Sequence, residues 1–285
     1  MGHTQGAPEW VPTRDGRRLH AMVLPGPSGA GTPTVVFEAG AAAARWSWAA
    51  VQPEVARAAR AIVYDRSGLG LSAPDPKGRT LQRMADDLND LLGHFGSGPF
   101  VLVGHSLGGP VVRLAAAREP ERIAGLVLAD PVDEAAEVLF GRRFRTFEKL
   151  SFPVLAGFAR TGLLKRSFRW LLDATPPDFR QDMEREAFHP GVIRTQREQA
   201  RTFLDEVAAW REHPPELGSI PVTVISGALT GSGMNAEVRA QANAAHEHRA
   251  AQSPRGRHVI AARSGHYVPV TEPELIAAEI ARLPG

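Results

Sequence analysis

The stretch Phe100-Val101-Leu102-Val103-Gly104-His105-Ser106-Leu107-Gly108-Gly109 decides the fold of this 285-residue chain. Its first four residues are apolar, as in a buried strand, and the alanine-rich run from Val111 to Arg118 that follows has the pattern of a helix. The pattern Gly-x-Ser-x-Gly between a strand and a helix is typical of a sharp turn that exposes a nucleophilic serine. Glycine is needed on both sides because a side chain there strikes the strand or the helix. The stretch therefore predicts that Ser106 is a nucleophile.

Apolar runs around this stretch predict that strands and helices alternate along the chain. A hairpin over 9–24 comes first, residues 46–60 are predicted to be helical, and Thr80 caps a helix that extends to about His94. The predicted strands of this part are 34–38, 61–65, 100–103 and 123–129. Because strict alternation places strands parallel, we expect a parallel sheet with helices on both faces and the site at the strands' carboxyl ends.

The alternation stops between residues 132 and 219, where several helices are predicted, one of them over 190–212, and no strand is evident. The later predictions are a strand over 221–226, a helix over about 235–250, a short strand over 258–261 and a terminal helix over 272–283. We therefore divide the chain into a core, residues 1–131 and 220–285, and a helical insertion, residues 132–219, that caps the site.

The composition excludes several classes of site and partner. The chain has no cysteine, which excludes disulfides, thiolate catalysis and cysteine-type metal sites. The net charge is +2 and no nucleic-acid motif is present, so we expect a small-molecule partner and no nucleic acid. No apolar run is long enough to span a bilayer and Met1 to Trp10 has no signal-peptide core, which predicts a cytoplasmic protein without a transmembrane segment. His246 and His248 point to different sides of a helix, so no metal or cofactor is predicted, and the oligomeric state is left open.

A serine hydroxyl becomes a nucleophile only when a neighbouring base takes its proton and an acid orients that base. His266 is the best candidate for the base among the ten histidines. It lies in Ser264-Gly265-His266-Tyr267, on the predicted loop between the last strand and the terminal helix.

These motifs resemble those of the alpha/beta-hydrolase superfamily over essentially the whole chain. The matching segments are Gly104-His105-Ser106-Leu107-Gly108-Gly109, Asp65-Arg66-Ser67-Gly68-Leu69-Gly70-Leu71-Ser72 and Ser264-Gly265-His266. The resemblance implies an α/β fold with a mostly parallel, eight-stranded sheet flanked by helices. It also implies a catalytic triad in the chain order Ser, acid, His.

The position of the acid departs from the usual pattern of the superfamily. Members usually have Gly-x-x-Asp after the strand that follows the cap, whereas this chain has Gly227-Ala228-Leu229-Thr230. Asp130, at the end of the strand after the first helix past Ser106, resembles the acid of a minority of members, and Pro131 favours an extended backbone there. We predict that Asp130 is the acid. The alternatives are Asp133, Glu134, Glu237 or no acid at all.

The oxyanion of an acyl-transfer intermediate needs two N–H donors. We expect one from the backbone of Leu107, where the helix after Ser106 begins. The superfamily often has His-Gly after the strand over 34–38, and the corresponding Ala39-Gly40-Ala41 implies that the backbone of Ala41 is the second donor. Glu38 is interpreted either as a supporting residue of the site or as a buried structural carboxylate, and the loop 65–68 is expected to brace the turn at Ser106.

The insertion has an unusual composition between residues 139 and 170. This stretch contains eight lysines and arginines against Glu148 alone. It also contains six of the twelve phenylalanines, which are Phe140, Phe144, Phe147, Phe152, Phe158 and Phe168. The phenylalanines predict an apolar wall of the substrate pocket. The charges fit either the water-facing side of an amphipathic cap or a rim that attracts an anionic or amphipathic substrate, or a membrane surface.

Together these features predict a serine hydrolase that cleaves a carboxylic ester, thioester or lactone of a small, largely apolar substrate. Ser106 forms the acyl-enzyme, His266 is the base and Asp130 orients it. Epoxide hydrolases and dehalogenases of this fold use an aspartate nucleophile, which Ser106 argues against. The alternatives are a biosynthetic acyltransferase or cyclase, and a non-catalytic ligand-binding receptor.

Overall fold

The computed structural model describes residues 2–27, 31–231 and 233–283. One eight-stranded sheet has the order β1-β2-β4-β3-β5-β6-β7-β8, antiparallel at β1–β2 and β2–β4 and parallel elsewhere. The strands are β1 (Ala7–Pro12), β2 (Arg18–Leu24), β3 (Thr34–Glu38), β4 (Ala61–Tyr64), β5 (Phe100–His105), β6 (Ile123–Ala129), β7 (Val222–Gly227) and β8 (Gly256–Ala261). The predicted mostly parallel sheet of eight strands is confirmed.

Side chains alternate between the two faces of each strand, so each face has its own apolar core. In β5, Phe100 and Leu102 face one pair of helices, Leu81–Phe95 and Gly108–Arg118, whereas Val101 and Val103 face Val51–Val55 and Pro273–Ala281. The helices around the sheet are α1 (Val51–Val55), α2 (Leu81–Phe95), α3 (Gly108–Arg118), α10 (Ala236–Ala251), α11 (Val268–Thr271) and α12 (Pro273–Ala281).

Six further helices lie between β6 and β7, within the segment 132–219, which we call the insert. They are α4 (Arg142–Thr161), α5 (Leu163–Ser167), α6 (Arg169–Asp173), α7 (Pro177–Glu186), α8 (Pro190–Gln199) and α9 (Phe203–Ala208). The predicted single helix over 190–212 is wrong, because the chain leaves the helical path between α8 and α9. The division into a core and a capping insert stays a prediction.

The helix predicted over 46–60 is also much shorter than expected. Only Val51–Val55 is α-helical, and Arg45–Trp48 forms a separate 3₁₀ turn. Pro53 lies in the first turn of α1, where its missing N–H costs no hydrogen bond. By contrast, the Thr80 cap is present, because its side chain accepts a hydrogen bond from the Arg83 amide at 3.3 Å.

Three glycines bring the ends of β3, β5 and β6 together. A Cβ atom on Gly104 would lie 2.6 Å from the carbonyl oxygen of Gly108, and one on Gly108 would lie 2.5 Å from that of Glu38. A Cβ on Gly109 would lie 2.5 Å from the Pro131 side chain. At these distances a Cβ atom does not fit, which explains why glycine occupies all three positions.

This crowding predicts that Gly104→Ala lowers the free energy of unfolding by about 1–3 kcal/mol or more, because the new methyl group has to displace backbone. Gly93→Ala is the matched control. A Cβ on Gly93 meets nothing within 4 Å on an exposed turn of α2, so alanine there raises stability by about 1 kcal/mol. Urea unfolding followed by circular dichroism measures both, and equal effects of the two variants would contradict the packing argument.

Candidate active site

Ser106 lies at the turn between β5 and α3 with a φ of 53°, in the left-handed region that residues with a Cβ atom rarely adopt. Three backbone hydrogen bonds hold it there. Its amide donates to the carbonyl of Ala129 at 3.2 Å, and its own carbonyl accepts from the amides of Gly109 and Val132, both at 3.0 Å. The strained turn is thus tied to the end of β6 as well as to its own helix.

His266 connects Ser106 to Asp130. Its Nε2 lies 3.1 Å from the Ser106 Oγ, and its Nδ1 lies 2.7 Å from the Asp130 Oδ2. His105 supports the loop that carries His266, because its Nε2 lies 2.8 Å from the His266 carbonyl oxygen. A carbonyl only accepts, so the proton of neutral His105 is on Nε2. The structure therefore brings together three residues that are 24 and 136 positions apart.

Asp130 is buried, and its other oxygen, Oδ1, accepts hydrogen bonds from Arg239 Nη1 at 2.5 Å and from the Gly227 amide at 3.0 Å. Burial alone raises the pKa of Asp130, but the hydrogen bonds and charges of His266, His246 and Arg239 lower it well below its usual range. The carboxylate therefore stays ionised at neutral pH.

The expected extended backbone at Asp130 is wrong. Its φ is 44°, although Pro131 follows it. The amide of Asp130 donates to the carbonyl of Ile225 at 2.7 Å, and its side chain has three partners. These interactions offset the local strain, which the proline rule does not take into account.

Arg239 was not identified from the sequence. It lies in the first turn of α10, whose buried residues include Arg239, Ala242, His246 and Arg249. Their spacing of three and four residues is that of the inward face of a helix, so the periodicity of the sequence indicates that Arg239 is buried. An arginine on a buried face needs a carboxylate partner, and Asp130 provides it.

The alternative acids lie elsewhere. Asp133 and Glu134 are buried and pair with two arginines, Arg113 of α3 and Arg249 of α10. Glu237 is exposed at the start of α10, and its recorded side-chain contact is with Gln241. The carboxylate within hydrogen-bond distance of His266 is therefore that of Asp130, and not one of these three.

The loop after β3 lies against Ser106, since a Cβ on Gly40 would be 3.3 Å from the serine Cβ. Arg66 donates hydrogen bonds to the carbonyls of Ala39 and Gly40. The C=O and N–H of a trans peptide point in opposite directions, so the Ala41 N–H, which shares a peptide with the Gly40 carbonyl, points away from Arg66. Leu107, the other expected donor, immediately precedes α3.

The sequence predicts that the segment 65–68 braces the turn at Ser106. In the structure, Arg66 of this segment instead binds the loop after β3. Glu38 is fully buried and binds both Arg66 and Tyr64. Burial raises the pKa of Glu38, and these two partners oppose the rise. Its contacts match those of a buried structural carboxylate that anchors Arg66.

A cavity of about 210 Å³ opens beside Ala41, His105 and Tyr267. Most of its wall is apolar. The insert supplies most of these apolar side chains, namely Leu155, Leu164, Phe168, Leu171, Ala187, Phe188, Val192 and Ile193. Of the six phenylalanines expected to form this wall, Phe168 lines the cavity. Phe140 and Phe144 instead pack against the main core, Phe152 packs beside the cavity wall, and Phe147 and Phe158 are exposed.

Within residues 2–27, 31–231 and 233–283, no group of three or more His, Asp or Glu side chains is arranged to hold a metal ion. Over the same ranges, no helix has the length and apolar composition needed to cross a membrane.

His105 makes stability depend on pH. Burial, with a smaller contribution from the His266 charge, lowers the pKa of His105 to about 3, whereas an unfolded histidine titrates near ~6.5. Between these values the unfolded chain binds a proton that the folded chain does not. The free energy of unfolding therefore falls as the pH drops below ~6.5, by up to about 1.4 kcal/mol per pH unit from this residue.

His105→Gln removes this contribution, so the free energy of unfolding falls less steeply as the pH is lowered. His213→Gln, at an exposed position, leaves this pH dependence unchanged. Urea unfolding at a series of pH values from 7 to 4 measures the slopes. Identical slopes for all three proteins would mean that His105 accepts a proton in the folded state.

Comparison with known proteins places the chain in a family. The protein YqjL of Bacillus subtilis is 32% identical over 120 residues, which are 42% of this chain and 46% of YqjL, so the chain matches less than half of that relative. The fold is similar to that of the epoxide hydrolase CorEH, with a TM-score of 0.74 and 21% identity over 97% of this chain and 98% of that one. It is also similar to a thermophilic esterase from Thermogutta terrifontis, with a TM-score of 0.67 and 24% identity over 97% of both chains. The sequence model of the alpha/beta hydrolase family matches residues 35–279, and the chain belongs to this family.

Proposed function

We propose that this protein is a serine hydrolase that cleaves a carboxylic ester, thioester or lactone through an acyl-enzyme on Ser106. The observation that carries the proposal is the continuous chain of contacts from the Ser106 Oγ to His266 Nε2, and from His266 Nδ1 to Asp130. Such a chain provides a nucleophile, a base and an orienting acid, which acyl transfer requires.

In the proposed reaction, His266 takes the proton of Ser106 while the serine oxygen attacks the substrate carbonyl. The oxyanion that forms accepts hydrogen bonds from the backbone N–H groups of Leu107 and Ala41. His266 then gives its proton to the leaving group, and the acyl-enzyme remains. A water molecule deprotonated by the same histidine releases the acid.

Asp130 holds the Nδ1 proton of His266, so that Nε2 faces Ser106 as a free base. Its ionised state supports this role, because a neutral carboxyl group does not stabilise the imidazolium that forms during the reaction. Arg239 and the Gly227 amide fix the position of the carboxylate from the other side. Arg239 is therefore a positioning residue in this proposal.

The cavity beside the site supports a small, largely apolar acyl group. Its volume of about 210 Å³ is below the roughly 300–1,000 Å³ of pockets that take drug-sized ligands. Because the insert supplies most of the apolar wall, we assign it the role of a cap over the core. A cytoplasmic location is part of the same proposal.

Epoxide hydrolysis is the activity named for one structural neighbour, but a likeness at 21% identity bears on the fold alone. The residue at the turn after β5 is a serine, whereas epoxide hydrolases of this fold use an aspartate. The main alternatives are an acyltransferase or cyclase, which uses the same acyl-enzyme with another acceptor, and a non-catalytic receptor.

Ser106→Ala is expected to lower kcat/KM for p-nitrophenyl esters by a factor on the order of 10³ or more, because the acyl-enzyme no longer forms. The measurement uses esters with acyl chains from acetate to octanoate, together with labelling by a fluorophosphonate. The exposed Ser97→Ala is the control and keeps both activity and labelling. A folded protein that neither hydrolyses the esters nor reacts with the probe supports the receptor instead.

Asp130→Asn is expected to lower kcat by a factor on the order of 10⁴, because the amide favours the wrong tautomer of His266. Glu237→Gln removes the exposed carboxylate that is an alternative candidate for the orienting acid. We expect its kcat to stay within about twofold of that of the original protein. Both variants are compared on one ester after circular dichroism has verified the fold. If Asp130→Asn also stays within about threefold, a barrier change of less than about 0.7 kcal/mol, Asp130 is not the orienting acid.

A further inference from the structure

Helix α4 of the insert presents apolar side chains to solvent. Phe147, Leu150, Val154 and Phe158 are 69%, 66%, 55% and 40% exposed. Their spacing of three, four and four residues places them on one side of the helix. Only Phe152 of this 20-residue helix is buried. The exposed row, which we call the α4 stripe, therefore lies opposite the face that packs on the insert.

Leu163 and Trp170, in the next two helices along the chain, are 46% and 45% exposed. Among the described residues, ten large apolar side chains are exposed, and six of them lie between 147 and 170. Isolated exposed apolar residues are ordinary, but a concentration of this kind marks an interaction surface.

The same segment carries a strong positive charge. Residues 142–173 contain eight lysines and arginines and two acids, a net charge of +6, whereas the whole chain carries +2, so the remainder carries −4. Arg145 and Lys165 form ion pairs with Asp205 and Glu184. In the part of the chain that the structure describes, no ion pair is recorded for Arg142, Arg143, Lys149, Arg160 or Arg166.

A groove of about 640 Å³ runs along one flank of α4, between this helix and α8. Phe152, Pro153, Ala200 and Leu204 contribute apolar surface to it. Its charged lining consists of four cations and one acid, Arg145, Lys149, Arg197, Arg201 and Glu148. Because Phe152 is part of its wall, the groove lies on the side of α4 away from the α4 stripe, and its cations extend the basic surface of the segment around the helix.

We propose that the α4 stripe, together with the cations of residues 142–173, binds the surface of an anionic lipid bilayer. An apolar face inserts at the boundary between headgroups and acyl chains, and adjacent cations bind the anionic headgroups. Charge complementarity selects this partner. A second copy that presents the same surface does not fit, because two surfaces of +6 repel each other.

The position of α4 gives this binding a consequence for the site. The stripe faces outward, while Leu155 of the same helix lines the cavity beside Ala41 and His105. A bilayer bound at the stripe therefore lies on the outer side of a helix whose inner side forms the apolar pocket wall. Substrate held in the bilayer is brought close to this wall, although the binding itself does not depend on catalysis.

Co-sedimentation with lipid vesicles tests the proposal. The full chain is expected to bind vesicles of phosphatidylcholine with about one third phosphatidylglycerol, to bind vesicles of phosphatidylcholine alone at least tenfold more weakly, and to dissociate at high salt. Phe147→Ser combined with Leu150→Ser weakens binding at least tenfold. Leu229→Ser combined with Ile260→Ser, at exposed apolar positions outside the insert, leaves it unchanged.

The charge contribution has its own matched pair. Arg142→Gln, Arg143→Gln and Lys149→Gln together reduce binding by a factor on the order of 10², because each cation near an anionic surface contributes about fivefold. Arg57→Gln, Lys77→Gln and Arg282→Gln change the net charge equally at exposed positions elsewhere and leave binding within about twofold. Circular dichroism verifies that every variant is folded.

Three results overturn the proposal. The first is no binding to anionic vesicles, and the second is equal binding to both kinds of vesicle. The third is a dimer in analytical ultracentrifugation that Phe147→Ser with Leu150→Ser dissociates, since a second copy then covers the stripe.

Discussion

The close approach of three backbone segments at Gly104, Gly108 and Gly109 is the constraint on which the site depends. Gly108 lies against the end of β3, and Gly109 lies against Pro131, which follows β6. The turn at Ser106 therefore sits between the loop that carries Ala41 and the residue Asp130. Because these contacts leave no free space, small shifts of one segment displace the others, and the site forms as a unit.

Buried charges set the remaining geometry, and each has a partner of opposite sign. Asp130 binds Arg239 and His266, and Glu38 binds Arg66, which holds the loop after β3. Two further ion-pair networks tie the insert to the core. One joins Arg45 to Asp182 and Glu186 of α7, and the other joins Asp133 and Glu134 to Arg113 and Arg249. Removal of one partner from such a network leaves an uncompensated buried charge, which costs about 3–5 kcal/mol. These networks thereby link the insert to the core.

The insert has two different surfaces. Its inner side supplies the apolar wall of the cavity, with side chains from α4, α5, α6 and α8. Its outer side presents the α4 stripe, within the segment 142–173 that carries a net charge of +6. A partner that covers exposed apolar groups removes them from water, which favours binding. The surrounding cations favour a partner of negative charge. The same helix thus bounds the pocket and carries the proposed lipid-binding surface.

Local patterns in the sequence determined the sheet, the turn at Ser106 and the selection of His266, because apolar runs, glycine spacing and helix caps act over a few residues. They also identified Asp130 as a candidate, but left Asp133, Glu134 and Glu237 open. Only the tertiary structure shows which of these carboxylates lies next to His266. The strand order brings the ends of β6 and β7, and with them Asp130, beside the loop of His266, whereas Asp133 and Glu134 bind Arg113 and Arg249. The partnership of Arg239 with Asp130 joins residues 109 positions apart, so no local pattern contains it. The phenylalanines of the insert show the same limit. Composition indicated an apolar wall, but the rotation of α4 about its axis decided that Phe152 is buried while Phe147 and Phe158 face solvent.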